Sequence, residues 1–283
     1  MSRACIVGIL VIAFTGGCTS LDYLGEPRRS TPREPVWDEE RLAEHVKYLG
    51  GERAGGAGAD GIAAKVAYVA VRMREFKLQP GVGRTWVVNY EATNATDGNA
   101  RFTVGIPGDD AELSKSLAEG TGQVLGYVAG QDPALFDELI LVCTRLGRPA
   151  DVAALLALAD QYAGFANFGS VPGRTILFAV FSRSGLSEYF RSPLWPVDRT
   201  RMVIYLGADS ENREEVTLLV ESARMKVRLI GPPQNDAVTE PDLVDALHMA
   251  QAAHAVLLSQ ASSAKPPAAL GLQVPVVPRP SNQ

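Results

Sequence analysis

The feature that most constrains the fold is a series of continuous apolar runs that alternate with helical segments in the second half of the chain. The runs are LILVC at 139–143, TILFAVF at 175–181 and RMVIYLG at 201–207. Apart from Arg201 at the start of the third run they carry no charge, and they contain several β-branched residues. Strands of this kind are covered on both faces, as in sheets with parallel strands. The segment VAALLALADQYA at 152–163 instead predicts a helix between the first two strands. We therefore expect a three-layer α/β fold with a central mixed β-sheet flanked by helices.

Other patterns predict the elements around this core. Asp38 stands at the start of an amphipathic segment that ends at Gly50, which is the pattern of a capped helix. The sequence TEPD at 239–242 is a capping box with proline in the first turn, and it opens a helix to about Ser259. The other predicted elements are a helix at 62–76 and strands at 85–92, 101–106, 124–129, 216–222 and 226–231.

The N-terminus has the pattern of an export signal rather than of folded structure. Arg3 precedes an apolar stretch at 6–14, which is far shorter than the roughly 20 residues that a membrane-spanning helix needs. The sequence TGGC at 15–18 resembles a bacterial lipobox, with Thr15 in place of the usual leucine. This resemblance predicts lipid attachment at Cys18. The alternative is an ordinary signal peptide with an incidental cysteine.

The export signal sets the predicted location and the domain boundaries. Residue 19 is threonine rather than the aspartate of an inner-membrane retention signal. We therefore expect a cell-envelope protein that is bound to membrane lipid through Cys18, in the outer membrane and facing the periplasm if the cell is Gram-negative. The predicted units are a signal peptide at 1–17, a tether at 18–37, an α/β domain at 38–262 and a proline-rich disordered tail at 263–283.

The charge and the cysteine content exclude several classes of function. The formal net charge is −5, so the chain lacks the basic character that nucleic-acid binding requires, and we exclude nucleic acid as a partner. Of the three cysteines, only Cys143 lies beyond the export signal. One cysteine supports neither a disulfide framework nor a cysteine zinc site, and its apolar surroundings predict a buried side chain.

Four segments follow one another in the order and spacing of a known family. They are ERAGGAGADGIAAKVAYVAVRMREFKLQPG at 52–81, QVLGYVAGQDPALFDELILVCTRLG at 123–147, TILFAVFSRSGLSEYF at 175–190 and RMVIYLGADS at 201–210. Together they resemble the secreted co-catalytic zinc aminopeptidases, which include leucine aminopeptidases, aminopeptidase Y and the glutaminyl cyclases. The resemblance extends over about residues 38–260 and implies a zinc-aminopeptidase-like fold.

The resemblance also implies a site for two zinc ions, held by His, Asp and Glu side chains beside a glutamate base. Zinc binds imidazole, carboxylate or thiolate groups, so each ligand position can be compared with the residue present. The ligand positions at two strand ends fall at Val142, Thr144 and Gly207, and none of these residues offers such a group. We therefore expect no zinc at these positions.

The two loops beside these strands also depart from the family. The glutamate base and a ligand fall among Ser182, Arg183 and Ser184, and Arg183 places a permanent positive charge where a metal would lie. The loop for the bridging carboxylate is shortened to RPADV at 148–152. Asp151 remains in it, but its position directly before the helix predicts an N-cap.

The remaining carboxylates and histidines do not replace these ligands. Asp209 follows Gly207 by two residues and could serve as a ligand, although we favour a turn carboxylate. His45 lies on the first predicted helix, whereas His248 and His254 lie six residues apart on the last one and so point to different faces. We predict that all three are solvated or packed helix histidines.

The leading hypothesis is a catalytically inactive, peptidase-like envelope lipoprotein that needs no cofactor and binds a peptide, a cell-wall fragment or a protein partner. An alternative is a divergent metal-dependent aminopeptidase or hydrolase with ligands rebuilt from Asp151, Asp209, Glu188 or Glu211. A third is a structural lipoprotein in which the tether or the tail carries the function. In the leading hypothesis the degenerate former site consists of Val142, Thr144, Asp151, Arg183, Ser184 and Gly207.

Overall fold

The computed structural model describes residues 35–51, 59–83, 86–90, 102–105, 122–167, 172–182, 185–191, 193–209, 212–232 and 241–261. The predicted signal peptide, Cys18, most of the tether and the tail lie outside these residues. None of the described helices combines the length and the apolarity that crossing a bilayer requires. The helices are α1 (Glu39–Gly50), α2 (Ala59–Glu75), α3 (Pro149–Asn167), α4 (Gly185–Arg191), α5 (Arg213–Ser222) and α6 (Pro241–Ala261). The strands are β1 (Gln79–Pro80), β2 (Val87–Tyr90), β3 (Phe102–Gly105), β4 (Gly122–Val128), β5 (Leu139–Arg145), β6 (Thr175–Phe181), β7 (Thr200–Leu206) and β8 (Val227–Ile230).

The described strands form one mixed sheet in the order β3-β2-β4-β6-β5-β7-β8, with β1 paired to β4. The half that contains β6, β5, β7 and β8 is parallel. The half that contains β3, β2 and β4 is antiparallel, and β4 joins the two halves through an antiparallel pairing with β6. The predicted central mixed sheet is therefore confirmed.

Helices cover both faces of the sheet, as a three-layer fold requires. One core lies between the sheet and α1, α2, α3 and α6, and a second lies between the sheet and α4 and α5. Helix α3 packs against both α1 and α6 as well as the sheet, which accounts for its almost wholly apolar sequence. The three-layer α/β prediction is confirmed.

The helix at Arg213–Ser222 corrects one prediction from the sequence. The segment 216–222 was predicted as a strand because it is apolar and contains β-branched residues. In the structure Val216 and Val220 are buried one helical turn apart, whereas Leu218 is 60% exposed. Two glutamates in the first turn also favour a helix, because they interact with the positive end of its dipole. The strand prediction was wrong because it ignored this helical period.

Candidate functional site

The candidate site lies where the parallel strands β5 and β7 end next to each other. The chain leaves β5 into α3, which packs on one face of the sheet, and leaves β7 toward α5, which packs on the other face. Neighbouring strands whose connections diverge in this way form a crevice at their carboxyl ends, and ligands of open α/β sheets bind in such crevices. This edge of the sheet is therefore the first place to search for function.

Two of the predicted site residues serve the sheet itself. Val142 is completely buried in β5, in register with Phe178 of β6 and Ile204 of β7. Thr144 is also completely buried, and its hydroxyl group donates a hydrogen bond to the backbone carbonyl of Leu206, at 3.0 Å. Val142 is thus a core residue below the crevice, and Thr144 fastens the end of β5 to the end of β7.

Gly207 and Asp151 meet at the mouth of the crevice. Gly207 has a φ of +85°, in the region that favours glycine, and a Cβ placed on it would overlap the carboxyl group of Asp151. Asp151 is the third residue of α3, which begins at Pro149. The predicted N-cap role of Asp151 is therefore wrong, because proline takes the first helical position and moves the aspartate into the first turn.

The Asp151 carboxyl group is buried without a full set of partners. The residue is 6% exposed, and its Oδ1 atom accepts no hydrogen bond from any described residue. Among the described cations, Arg148 is the one that forms an ion pair with this carboxyl group, and its Nη1 lies 3.9 Å from Oδ1. The pKa of Asp151 is raised from 3.8 to about 6, chiefly by burial. The positive charge of Arg148 opposes this rise, and the nearby carboxylates of Asp209 and Asp245 add to it. Among the described carboxyl groups of this edge, Asp151 is the one whose pKa is raised.

Two arginines at the edge are held by acidic residues of other helices. Arg148 donates to Asp245 of α6 at 2.6 Å, and Arg145 makes two hydrogen bonds to Glu215 of α5, at 2.6 and 3.0 Å. The two-point geometry matches the planar guanidinium group to the carboxylate. These ion pairs link the end of β5 to a helix on each face of the sheet. They therefore stabilise the packing of α5 and α6 against the end of the strand.

Asp209 lies in a turn, as predicted. Strand β7 ends at Leu206, so the strand geometry that would direct Asp209 toward the crevice does not continue. Its Oδ1 accepts a hydrogen bond from the backbone amide of Asn212 at 2.9 Å, and the Asn212 side chain accepts one from the Asp209 amide at 3.1 Å. Asn212 also donates to the carbonyl of Gly207. This reciprocal pair shapes the connection from β7 to α5.

The remaining candidates are divided between packed and undescribed residues. Glu188 in α4 pairs with Arg191 of the same helix, at 2.8 Å. Ser182 is 3% exposed at the end of β6. Arg183, Ser184 and Glu211 lie outside the described residues.

The histidines are packed or solvated, as predicted. His45 and His254 are buried, and each contacts a tyrosine hydroxyl group, Tyr68 at 2.7 Å and Tyr162 at 3.3 Å. His248 is exposed on α6. Burial, then the charges of nearby arginines, lower the pKa of His45 to about 4, so this imidazole is neutral at physiological pH.

The donor groups of the edge do not fit a pair of zinc ions. Among the described residues, no three His, Cys, Asp or Glu side chains are grouped so that they could hold a metal ion. Val142 and Gly207 offer no donor, and the Thr144 hydroxyl group is committed to a backbone carbonyl. Cys143 is fully buried on the opposite side of β5 in the second core, and burial raises the pKa of its thiol. No step through zinc is therefore assigned to these residues.

The sequence did not predict the partners of the two arginines. Arg145 and Glu215 are separated by 70 residues, and Arg148 and Asp245 by 97. The order of the strands brings Arg145 and Glu215 together, and the packing of α6 beside α3 brings Arg148 and Asp245 together. The local signal was that Arg145 ends an apolar strand and Arg148 follows three residues later, so both charges lie at the carboxyl end of β5.

No protein-family model matches the sequence, and comparison with curated proteins gives no significant match. Among solved structures, an aminopeptidase from Aneurinibacillus sp. strain AM-1 is similar at 10% identity and a TM-score of 0.49, over 79% of this chain and 94% of that one. A glutaminyl cyclase from an Acidobacteriales bacterium is similar at 10% identity and a TM-score of 0.46, over 80% of this chain and 95% of that one. The functional conclusion therefore depends on the side chains of this chain.

Proposed function

We propose that this chain is an envelope lipoprotein whose peptidase-like domain performs no zinc catalysis and acts by binding. One observation carries the proposal. At the carboxyl ends of β5 and β7, the residues at positions that the family resemblance assigns to metal ligands take part in the packing between the strands and α3. Zinc in proteins is bound by cysteine, histidine and carboxylate side chains. Thr144 offers only a hydroxyl group, which donates to a backbone carbonyl, and Gly207 has no side chain.

The backbone at the end of β5 is also consistent with a binding role that needs no metal ion. The strand, turn and helix that begin at β5 keep the layout of a ligand-binding crevice. The charged groups there form ion pairs with α5 and α6, and these pairs hold the elements in place. The partner classes that we propose are a peptide, a cell-wall fragment or another protein. The net charge of −5 gives no support to nucleic acid.

The first experiment tests the missing catalysis. We expect the full-length chain, purified in non-ionic detergent, to release no more 4-nitroaniline from leucine, alanine and glutamine 4-nitroanilides than a buffer blank does. Added zinc should not change this result. Release that rises with zinc and stops with a chelator would contradict the proposal.

The lipid anchor is a separate part of the proposal and rests on the TGGC sequence at 15–18. Labelled palmitate supplied to expressing cells should enter the chain, and a Cys18→Ala variant should remain unlabelled. The protein should then fractionate with the outer membrane of a Gram-negative host. Equal labelling of the variant, or recovery of the wild type as a periplasmic protein, would contradict the anchor.

A divergent hydrolase is the second candidate, and one observation favours it. The charge of Asp209 raises the pKa of Asp151, and the Oδ1 atom of Asp151 accepts no hydrogen bond from a described residue. Buried carboxyl groups with raised pKa values are common at active sites. This candidate predicts slow peptide hydrolysis that Asp151→Asn abolishes and that Glu44→Gln, at an exposed carboxylate of α1, leaves unchanged. Equal rates in the wild type and in Asp151→Asn would eliminate it.

A further inference from the structure

A groove at the amino ends of the parallel strands, away from the candidate site, has the chemistry of a peptide-binding site. It lies where β7 begins and where the turn after α5 leads into β8, and its volume is about 840 Å³. Ligand pockets typically have volumes of ~300–1,000 Å³. Leu194, Trp195 and Met225 contribute apolar surface, and Arg201, Arg224 and Lys226 contribute positive charge.

The aromatic wall of the groove is held in place by its neighbours. The Trp195 indole N–H donates to the backbone carbonyl of Gly81 at 2.9 Å, and the ring packs edge-on against Tyr127 at 5.1 Å between centroids. Because the ring is fixed before a ligand arrives, binding against it loses little side-chain entropy. Such a wall suits an apolar side chain.

The charge of the groove is unbalanced. Arg224 and Lys226 are exposed, and neither forms an ion pair with another described residue. Arg201 is 58% exposed although it also contacts Glu138. Asp198 is the one acidic residue among those that line the groove in the described part of the chain. A chain with a net charge of −5 thus presents a local positive rim around apolar surface.

We propose that this groove binds an acidic peptide segment that carries an apolar side chain. The cations attract carboxylate groups, and the surface around Trp195 accepts the apolar group. The concave shape suits a peptide better than a flat bilayer. A bilayer would contact the exposed cations but would not reach the buried apolar surface at Met225. Lys226 leads into β8, which pairs only with β7 among the described strands, and an extended peptide can add to such an edge.

The groove and the candidate site lie at opposite ends of the parallel strands. Peptide binding in the groove is therefore independent of whether zinc binds near Asp151. The two proposals can fail separately, because one is tested by metal and activity and the other by binding at Trp195.

The turn after α5 provides a charge-removing variant that should preserve the fold. Arg224 has a φ of 59°, and the amides of Arg224 and Met225 donate to the carbonyls of Glu221 and Val220, which is the Schellman ending of a helix. Glycine is preferred at this position, so Arg224→Gly removes the charge and relieves strain. Lys77, at a φ of 63°, ends α2 in the same way outside the groove, so Lys77→Gly is the matched control.

The experiment is an NMR titration of the full-length chain in non-ionic detergent, observed at the indole N–H of Trp195. The probe is acetyl-Asp-Leu-Glu-Phe-Glu-amide, and the reference peptide is its uncharged Asn/Gln counterpart. We expect a saturable shift with a Kd in the millimolar range or tighter. The Arg224→Gly/Lys226→Gln variant should weaken binding at least tenfold, and Lys77→Gly should not.

Three results would overturn the proposal. The first is the absence of any Trp195 shift with the acidic peptide, and the second is equal affinity for the uncharged peptide. The third is binding that the double variant leaves unchanged. If phosphatidylglycerol vesicles shift the Trp195 signal and the acidic peptide does not, the surface docks on a membrane and the peptide proposal is wrong.

Discussion

Asp151 places its carboxyl group against Gly207, in the space that a Cβ at residue 207 would occupy. The contact joins the first turn of α3 to the end of β7 and lies beside the Thr144 hydrogen bond between β5 and β7. The family resemblance links Thr144, Asp151 and Gly207 to zinc. In this structure Asp151 packs against Gly207, and Thr144 forms a hydrogen bond between two strands. This arrangement is the physical basis for our proposal that the crevice binds no zinc.

The contact predicts a strong effect of Gly207→Ala. A non-glycine residue at a φ of +85° costs roughly 1–2 kcal/mol, and the added methyl group must also displace a buried carboxyl group. We expect the free energy of unfolding, measured by urea denaturation, to fall by more than about 2 kcal/mol. Gly147→Ala is the control, because a Cβ there meets no atom within 4 Å. Equal stability of the two variants would contradict the contact.

Asp151 also predicts a pH dependence of stability. Its pKa is raised from 3.8 to about 6, so the folded state binds the proton more tightly than the unfolded state does. The stability from this group is present below pH 3.8 and is lost as the pH rises through about 6, with a total of about 3 kcal/mol. Asp151→Asn should therefore stabilise the protein at pH 7.5 more than at pH 4. Glu44→Gln, at an exposed carboxylate in the middle of α1, is the control and should not show this difference between the two pH values.

His45 predicts the opposite slope. Its pKa is lowered from 6.5 to about 4, so its stability contribution is present above pH 6.5 and is lost as the pH falls through about 4. His45→Asn removes the imidazole and should make the stability rise less between pH 4 and 6.5 than it does in the wild type. His248→Asn, on the exposed surface of α6, should keep the wild-type profile. If the free energy of unfolding of the two variants depends on pH in the same way, the lowered pKa of His45 is contradicted.

The sequence predicted the sheet better than the site, for physical reasons. Strands β5, β6 and β7 are buried on both faces, and their apolar runs record that burial directly. Helix α5 was predicted as a strand because its apolar and β-branched composition hid the i, i+4 spacing of Val216 and Val220. The sequence also contained the signal for Asp151, since Pro149 marks the first helical position, but the aspartate was taken for the cap.

The long-range contacts of the edge could not be predicted in this way. The pairing of Arg148 with Asp245 depends on α6 packing beside α3, and that of Arg145 with Glu215 depends on β7 lying next to β5. Neither arrangement leaves a periodic pattern in the sequence. The groove around Trp195 was missed for the same reason, since its cations come from separate segments.

Zinc stoichiometry tests the central claim most directly. The full-length chain in detergent is incubated with excess zinc, dialysed against metal-free buffer and measured by elemental analysis, beside the Asp151→Asn variant. We predict well below one zinc ion per chain in both proteins, because Thr144 and Gly207 offer no ligand and the described edge lacks a set of donors. Two zinc ions per wild-type chain, with fewer in Asp151→Asn, would contradict the account.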